Sequence, residues 1–175
     1  MQYRSDVGIL PAMDLTGEAA DRLGRRLRKA PGRLSAVTFE KEQVMPAGFE
    51  EFASSPFFAT VGPAWIRRRD VPPTFGIRIE PRHCNSGGTA HGGLLVALAD
   101  LALGQGIRAV VGRNVRLITA GLSADFARPI AVGQWVEAQA DIQHQARRTV
   151  FANCYLTSNG NRAVRASGIY TVLEH

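Results

Sequence analysis

The residues with the clearest capacity for chemistry lie in one segment near the middle of the 175-residue chain. A loop of glycine and small polar residues, 85–93, contains Asn85 and His91 and leads into a long apolar run. In the first ten residues of that run, 94–103, Asp100 is the only polar side chain. Because an unpaired carboxylate is costly in apolar surroundings, Asp100 is predicted to be either a hydrogen-bonded structural residue or a functional one.

The spacing of these residues limits how they could cooperate. His91 and Asp100 are nine residues apart, so on a helix they lie on opposite sides, roughly 13 Å apart along its axis. One copy of the helix cannot bring both to the same substrate atom, whereas two copies in a symmetric dimer can. Gly92 and Gly93 leave the N–H groups and positive dipole of the helix start accessible to a carbonyl oxygen. The alternative is that this glycine pair only permits a tight connection between loop and helix.

A long helix and a set of strands must position these residues. The run 94–111 is apolar on all sides and is therefore predicted to be a buried helix. A short helix is predicted within 46–56, ended by Pro56, and a hairpin turn at 159–161. Strands are predicted from alternation and turn residues at 64–69, 74–82, 116–128, 134–147, 149–158 and 162–173. The sequence thus predicts an α+β fold in which an antiparallel sheet of five or six strands wraps one long central helix.

The chain is predicted to consist of one domain, 46–175, preceded by an N-terminal helical arm, 1–45. The run 14–29 resembles a short helix with a basic end, which could bind nucleic acid or a membrane surface. Packing against its own or a neighbouring subunit is the favoured interpretation. The net charge of +6 suits anionic partners or reflects composition alone. No signal peptide and no apolar run of transmembrane length are recognised, so no membrane contact and a cytoplasmic location are expected.

The spacing Asn-x5-His-Gly-Gly-x6-Asp, formed by Asn85, His91, Gly92, Gly93 and Asp100, resembles a known signature. It is similar to that of the hotdog-fold acyl-CoA thioesterases of the phenylacetate-pathway (PaaI-like) group. The resemblance extends over about residues 48–175 and includes the segment 119–133, which is similar to the first long strand after the helix and its turn. It implies the hotdog fold and the hydrolysis of an acyl-CoA to a carboxylic acid and free coenzyme A.

The resemblance also implies roles for individual residues. Asp100 would act as general base or nucleophile at the thioester carbonyl, and the N–H of Gly92 would bind the carbonyl oxygen. Asn85 and His91 would position the carbonyl or the water, and the Thr119 hydroxyl would lie near the attacking water. The substrate side would include Gly93 and Arg128, the latter near the coenzyme A phosphates. The run Arg67–Arg68–Arg69 could also meet these phosphates.

Each of these residues also has an ordinary structural interpretation. An Asn or His in a loop often only holds the loop together, a threonine is common in strands, and a run of arginines is usually a solvated face. No metal or other cofactor is implied, because the histidines lack ligand spacing. The geometry requires at least a homodimer, and the resemblance suggests a homotetramer.

Three functions remain open from the sequence. The first is the thioesterase described above, with coenzyme A or an acyl carrier protein as the thiol and an unspecified acyl group. The second is a non-catalytic hotdog domain that senses acyl-CoA, with a basic N-terminus that touches DNA; Asp100 disfavours it, and nucleic acid is not expected as a partner. The third is an inactive structural relative in which the carboxylate is engaged elsewhere. The segment 85–93 is neither a nucleophile elbow nor a P-loop, so serine hydrolase and nucleotide-binding chemistries are disfavoured.

Overall fold

The computed structural model describes residues 46–53, 55–112 and 115–173. The predicted N-terminal arm, 1–45, lies outside the described residues and stays a prediction. The described chain forms a seven-stranded antiparallel sheet in the order β1-β2-β3-β5-β6-β7-β4. The strands are β1 (Glu50–Glu51), β2 (Trp65–Arg67), β3 (Thr74–Arg78), β4 (Arg116–Phe126), β5 (Trp135–Gln145), β6 (Thr149–Ser158) and β7 (Asn161–Leu173). The helices are α1 (Pro56–Val61), α2 (Gly92–Val111) and a 3₁₀ turn (Pro81–His83). The predicted α+β class is confirmed, with the two-residue β1 added to the six predicted strands.

The core lies between α2 and one face of the sheet. The buried positions of α2 fall in pairs four residues apart, which is the stripe that a helix presents to a flat partner: Leu94, Leu95, Leu98, Ala99, Ala102, Leu103, Gly106 and Ile107. Small residues opposite this stripe let the helix approach the strands closely. A Cβ at Gly106 would lie only 2.6 Å from the Cβ of Ala140 on β5. The helix is thus held by its contacts with the sheet rather than by its own propensity.

In the part of the chain that the structure describes, the prediction that α2 is buried on all sides is wrong. A second stripe, formed by Val96, Ala97, Asp100, Leu101 and Gly104, is only partly buried. The reason is that the sheet covers α2 from one side only. We call this second stripe the open face of α2.

The helix also corrects the expectation that no apolar run reaches transmembrane length. It has 20 residues and a mean hydropathy of 1.7, which is long and apolar enough to cross a membrane by length and composition. Its packed stripe against the sheet accounts for part of this composition, and the open face carries apolar residues as well.

Two local predictions are also corrected. The short helix predicted within 46–56 does not form in the described residues 46–53, and a helix begins instead at Pro56, where Ser55 caps it by accepting the Phe58 N–H at 3.4 Å. A proline is favoured as the first residue of a helix rather than its last. The strand predicted at 74–82 ends at Arg78, and a 3₁₀ turn begins at Pro81. The hairpin turn at 159–161 is confirmed, with positive φ at Asn159 (50°) and Gly160 (74°).

Strand β4 is an edge strand with incomplete cover. The α2 connection carries the chain from β3 to the far side of the sheet, where β4 pairs with β7. Among the described residues no strand pairs with its other edge. The ladder shifts register between Thr119 and Gly121, so a β-bulge directly follows Thr119.

Candidate active site

The carboxylate of Asp100 is held by hydroxyl groups from two neighbouring strands. The Tyr170 hydroxyl donates to Asp100 Oδ1 at 2.7 Å, and the Thr119 hydroxyl donates to the same oxygen at 3.0 Å. Within the described part of the chain, no group donates to Asp100 Oδ2. The carboxylate therefore has one oxygen fixed and one oxygen available for chemistry. We call Asp100, Thr119 and Tyr170 the carboxylate cluster.

The sheet register explains how the two hydroxyls meet. Thr119 on β4 and Tyr170 on β7 are directly opposite each other, and opposed residues of an antiparallel pair project from the same face. A β-bulge changes the direction of nearby side chains and is common next to functional sites, and one directly follows Thr119. The prediction from sequence included Thr119 and missed Tyr170. Its position depends on the pairing of β4 with β7, which the sequence spacing does not reveal.

Tyr170 is suited to act as a permanent donor. Its side chain is only 2% exposed. Burial, and next the hydrogen bond and negative charge of Asp100, raise the pKa of the Tyr170 hydroxyl well above its ordinary value. The phenol is therefore protonated at neutral pH and keeps donating to the carboxylate.

The carboxylate cluster borders a cavity of about 450 Å³. Apolar walls come from Phe57 and Phe58 of α1, Leu101 of α2 and Leu117 of β4. This volume and apolar lining are typical of a site for a small organic ligand. The polar residues farther along the helix that line the same cavity are Gln105 and Arg108.

The start of α2 forms a second group of predicted residues. His91 is the N-cap, with its ring Nδ1 accepting the Gly93 N–H at 3.0 Å. Its carbonyl accepts the N–H groups of Leu94 at 3.0 Å and Leu95 at 3.3 Å. The N–H of Gly92 has no acceptor among the described residues. Gly92, rather than Gly93, therefore offers the free amide at the positive end of the helix.

Asn85 organises the loop before this helix start. Its Oδ1 accepts the N–H groups of Gly87 at 2.9 Å and Thr89 at 3.3 Å, and its amide nitrogen donates to the Thr89 hydroxyl at 3.2 Å. Asn85, Gly92 and Arg128 line a second cavity of about 280 Å³, and Arg128 is exposed there. We call Asn85, His91 and Gly92 the glycine-loop group.

The two groups are separate within one chain. Asp100 and Thr119 line one cavity, whereas Asn85, Gly92 and Arg128 line another. Gly92 and Asp100 are eight residues apart on α2, which corresponds to roughly 12 Å along the axis. The structure thus places the predicted residues in two separate groups, the carboxylate cluster and the glycine-loop group, which we call half-sites. Neither half-site contains both a carboxylate and the free amide.

A nucleophilic role for Cys154 is disfavoured by burial. Cys154 is fully buried, and the loss of solvent raises the pKa of its thiol to about 12. A thiol in that state is not ionised at neutral pH. In the residues that the structure describes, no group of three or more His, Cys, Asp or Glu could hold a metal ion.

Comparisons with known proteins identify the family of the chain. Residues 87–164 match the model of the family described as Thioesterase superfamily. A presumed esterase of Pseudomonas aeruginosa is 36% identical over 130 residues, which cover 72% of this chain and 96% of that protein. A variant of the phenylacetic acid degradation protein PaaI from Thermus thermophilus superimposes with a TM-score of 0.61 at 27% identity, covering 68% of this chain and 100% of that one. A Bacillus halodurans protein solved with coenzyme A has a TM-score of 0.55 at 23% identity, with 59% and 68% covered.

Proposed function

The chain belongs to the thioesterase superfamily, and from this premise we propose that it is an acyl-CoA thioesterase whose active site is shared between two copies of the chain. The thioester hydrolase activity follows from the family, and the fold is the hotdog fold of the PaaI-like structures. In the reaction, the oxygen of water bonds to the carbonyl carbon and the carbon–sulfur bond breaks. The products are a carboxylic acid and the free thiol of coenzyme A.

The observation that carries this proposal is the asymmetric hydrogen bonding of Asp100. Two hydroxyls fix Oδ1 at 2.7 and 3.0 Å, and none of the described residues donates to Oδ2. An oriented carboxylate beside an apolar cavity can take a proton from water or attack the carbonyl itself. An acyl-CoA sensor has no need of such a carboxylate.

The carbonyl oxygen needs a second partner, which we assign to Gly92 of a second copy. Negative charge develops on that oxygen as the thioester is attacked, and a fixed N–H donor at a helix start stabilises it. Within one chain the Gly92 amide and Asp100 are too far apart along α2 to act on one carbonyl group. The exposed Arg128 in the Gly92 cavity suits the phosphates of coenzyme A.

Two surfaces support association with a second copy. The open face of α2 carries apolar and small residues next to the functional carboxylate. Edge strand β4 leaves Ile118 46% and Phe126 52% exposed, although large apolar side chains are normally buried. This edge of 11 residues, which no described strand pairs, is also a ready template for another strand. A two-fold axis at this edge would extend the sheet and bring the two α2 helices together. The homotetramer that the resemblance suggests stays a prediction.

The choice of coenzyme A as the thiol rests on supporting features. The net charge of +6 favours a phosphate-bearing substrate, and the same fold holds coenzyme A in the Bacillus halodurans protein. Direct comparison of an acyl-CoA with the same acyl group on acyl carrier protein will test this choice. We expect the larger kcat/KM for the acyl-CoA.

Complementation between two inactive variants tests the shared site. Asp100→Asn removes the carboxylate function, and Gly92→Pro removes the free N–H. In a mixed dimer, one site receives both defects and the other receives neither. Random mixing by co-expression should therefore restore about a quarter of the wild-type thiol release. The control is thiol release by each variant expressed alone, which forms dimers with the same defect in both sites.

The outcomes distinguish the alternatives. If the mixture is no more active than the separate variants although mixed dimers form, the site lies within one chain. If the wild-type chain releases no thiol from any acyl-CoA or acyl carrier protein thioester, the proposed activity itself is wrong.

A further inference from the structure

We infer that the acyl group of the substrate carries a second carboxylate at its far end, so that the preferred substrates are short dicarboxylic monothioesters. The inference rests on the proposed function, because it takes the cavity beside Asp100 as the site of the acyl group. Beyond the proposed function, the inference specifies the chemical class of the acyl group. The residue that carries it is Arg108, near the end of α2.

Arg108 places a cation in the acyl cavity. It lines the cavity of about 450 Å³ together with Asp100, and also a neighbouring cavity of about 400 Å³. A methyl group at Gly104 would lie 3.8 Å from Arg108 Nη1, so the guanidinium folds back along the helix toward Asp100. This direction is the usual one for a long side chain on a helix.

The guanidinium of Arg108 has no protein partner in the part of the chain that the structure describes. The arginines at the end of β2 are, in contrast, paired. Arg67 contacts Asp70 at 2.7 Å and Glu137 at 3.1 Å, and Arg68 contacts Glu50. Since Arg108 is only partly exposed, a carboxylate from a ligand would gain a charge-assisted and bidentate interaction there.

The path from Asp100 to Arg108 suits a short methylene chain. Asp100, Gly104 and Arg108 follow one another at intervals of four residues and share one face of α2. Gly104 has no side chain to block the path, and it lies about 6 Å beyond Asp100 along the axis. This span matches an acyl chain such as glutaryl or adipyl. The apolar walls at Phe57 and Leu101 cover the methylene groups, and Gln105 adds a donor beside the guanidinium.

A neutral acyl chain fits this cavity less well. Its end would displace water from the Arg108 guanidinium without offering an acceptor, which leaves a polar group unsatisfied. Sites that contain a dedicated polar partner reject analogues that lack the matching group more strongly than apolar sites reject a change of size. Arg108 is thus assigned as a specificity-determining residue.

The experiment compares adipyl-CoA with hexanoyl-CoA, whose acyl chains have equal carbon numbers. We expect the wild-type kcat/KM to be higher for adipyl-CoA. In Arg108→Gln the ratio of the two values should fall roughly 10- to 100-fold, the range for loss of a charged hydrogen bond. Arg108→Lys retains the charge and should keep part of the preference. Arg147→Gln, on the exposed hairpin between β5 and β6, is the matched control and should leave the ratio unchanged.

Other outcomes overturn the inference in identifiable ways. Equal kcat/KM losses on both substrates in Arg108→Gln would assign the arginine to the coenzyme A phosphates. Wild-type hydrolysis of hexanoyl-CoA without any preference for adipyl-CoA would reject the dicarboxylic class and leave the thioesterase assignment intact. Failure to hydrolyse any thioester would reject both.

Discussion

The carboxylate cluster and the glycine-loop group are built by different means. In the cluster, Asp100 depends on a hydroxyl 70 residues away in sequence, donated by a tyrosine that is 2% exposed. In the glycine-loop group, the recorded side-chain bonds join residues two to four positions apart. One half-site is therefore positioned by the packing of the sheet, and the other by a local turn and a helix cap.

This difference suggests how the two half-sites divide the chemistry. A group that must hold a negative charge in a fixed orientation benefits from donors whose own positions are fixed by the core. A backbone N–H needs no such support, because the helix itself orients it. We therefore expect side-chain changes to matter most in the carboxylate cluster and backbone changes to matter most in the glycine loop.

The most severe change should be Asp100→Asn. The asparagine Oδ1 can still accept from Tyr170 and Thr119, so the dimer and the melting temperature should be nearly unchanged. The variant lacks a base or nucleophile, and loss of a general base typically costs about 10²–10⁴ in rate. We expect kcat for thiol release to fall about 10³-fold.

Circular dichroism and size-exclusion chromatography of the same preparation serve as controls for this variant. A kcat within tenfold of the wild-type value would assign Asp100 to structure alone. The proposed division between the two half-sites would then be untenable.

The second prediction concerns the backbone at Gly92. Proline suits the first position of a helix, and His91 already has the extended conformation (φ −65°, ψ 130°) that a following proline favours. Gly92→Pro therefore removes the free N–H with little local distortion. Loss of one such donor typically lowers kcat about 10²–10³-fold, and we expect a value in this range.

Gly92→Ala is the matched control because it retains the N–H. Its Cβ would lie 3.3 Å from Phe126 Cζ, a close contact that a shift of the ring by a few tenths of an ångström relieves. We expect kcat within a few-fold of wild type. An alanine variant as damaged as the proline variant would show that steric fit at Phe126, rather than the N–H, is what matters.

The same contrast explains what the sequence could and could not predict. The local spacing from Asn85 to Asp100 predicted the helix start and the separation of the two half-sites, because both depend on helix geometry alone. Tyr170 could not be predicted from spacing, because its position depends on which strand pairs with β4 and on the bulge after Thr119. The helix at Pro56 was misplaced because a proline can either end a helix or occupy its first position, and the sequence pattern did not distinguish the two.

The buried and open faces of α2 show a second limit of sequence patterns. An apolar residue such as Val96 or Leu101 indicates burial, but it does not indicate which surface buries it. The sequence therefore predicted a helix buried on all sides, whereas the described part of the chain covers only one stripe of α2. If the proposed dimer forms, a second copy would cover the open face. Hydrophobicity alone does not distinguish burial by the chain's own sheet from burial by a second copy.

Tyr170→Phe should have an intermediate effect. The phenylalanine keeps the packing but removes one of the two donors to Asp100 Oδ1. Because the acceptor is charged, the loss of this donor should weaken the hydrogen bonding of the carboxylate by about 1.5–3 kcal/mol. Since Tyr170 is proposed to position the base rather than to bind substrate, we expect kcat to fall about 10- to 100-fold while KM stays unchanged. Steady-state kinetics on one acyl-CoA will measure both values.

Thr119→Val provides the comparison for this variant, because it removes the other donor to the same oxygen. Thr119 is exposed in the single chain, so water can replace its hydroxyl and we expect a smaller loss of kcat. A rise in KM with unchanged kcat in Tyr170→Phe would contradict the positioning role.

The smallest effect is expected for Asn85→Asp. The aspartate Oδ1 can still accept the N–H groups of Gly87 and Thr89, so the loop keeps its main bonds and loses only the amide donation to the Thr89 hydroxyl. Loss of one neutral hydrogen bond corresponds to a factor of about 2–10, and we expect kcat/KM to fall within that range. Asn85→Ala, which removes the acceptor as well, should lower both stability and kcat/KM further. If the aspartate instead lowers kcat by 100-fold or more while alanine leaves stability unchanged, the amide nitrogen contacts the substrate. The glycine loop would then depend on a side chain as well as on its backbone.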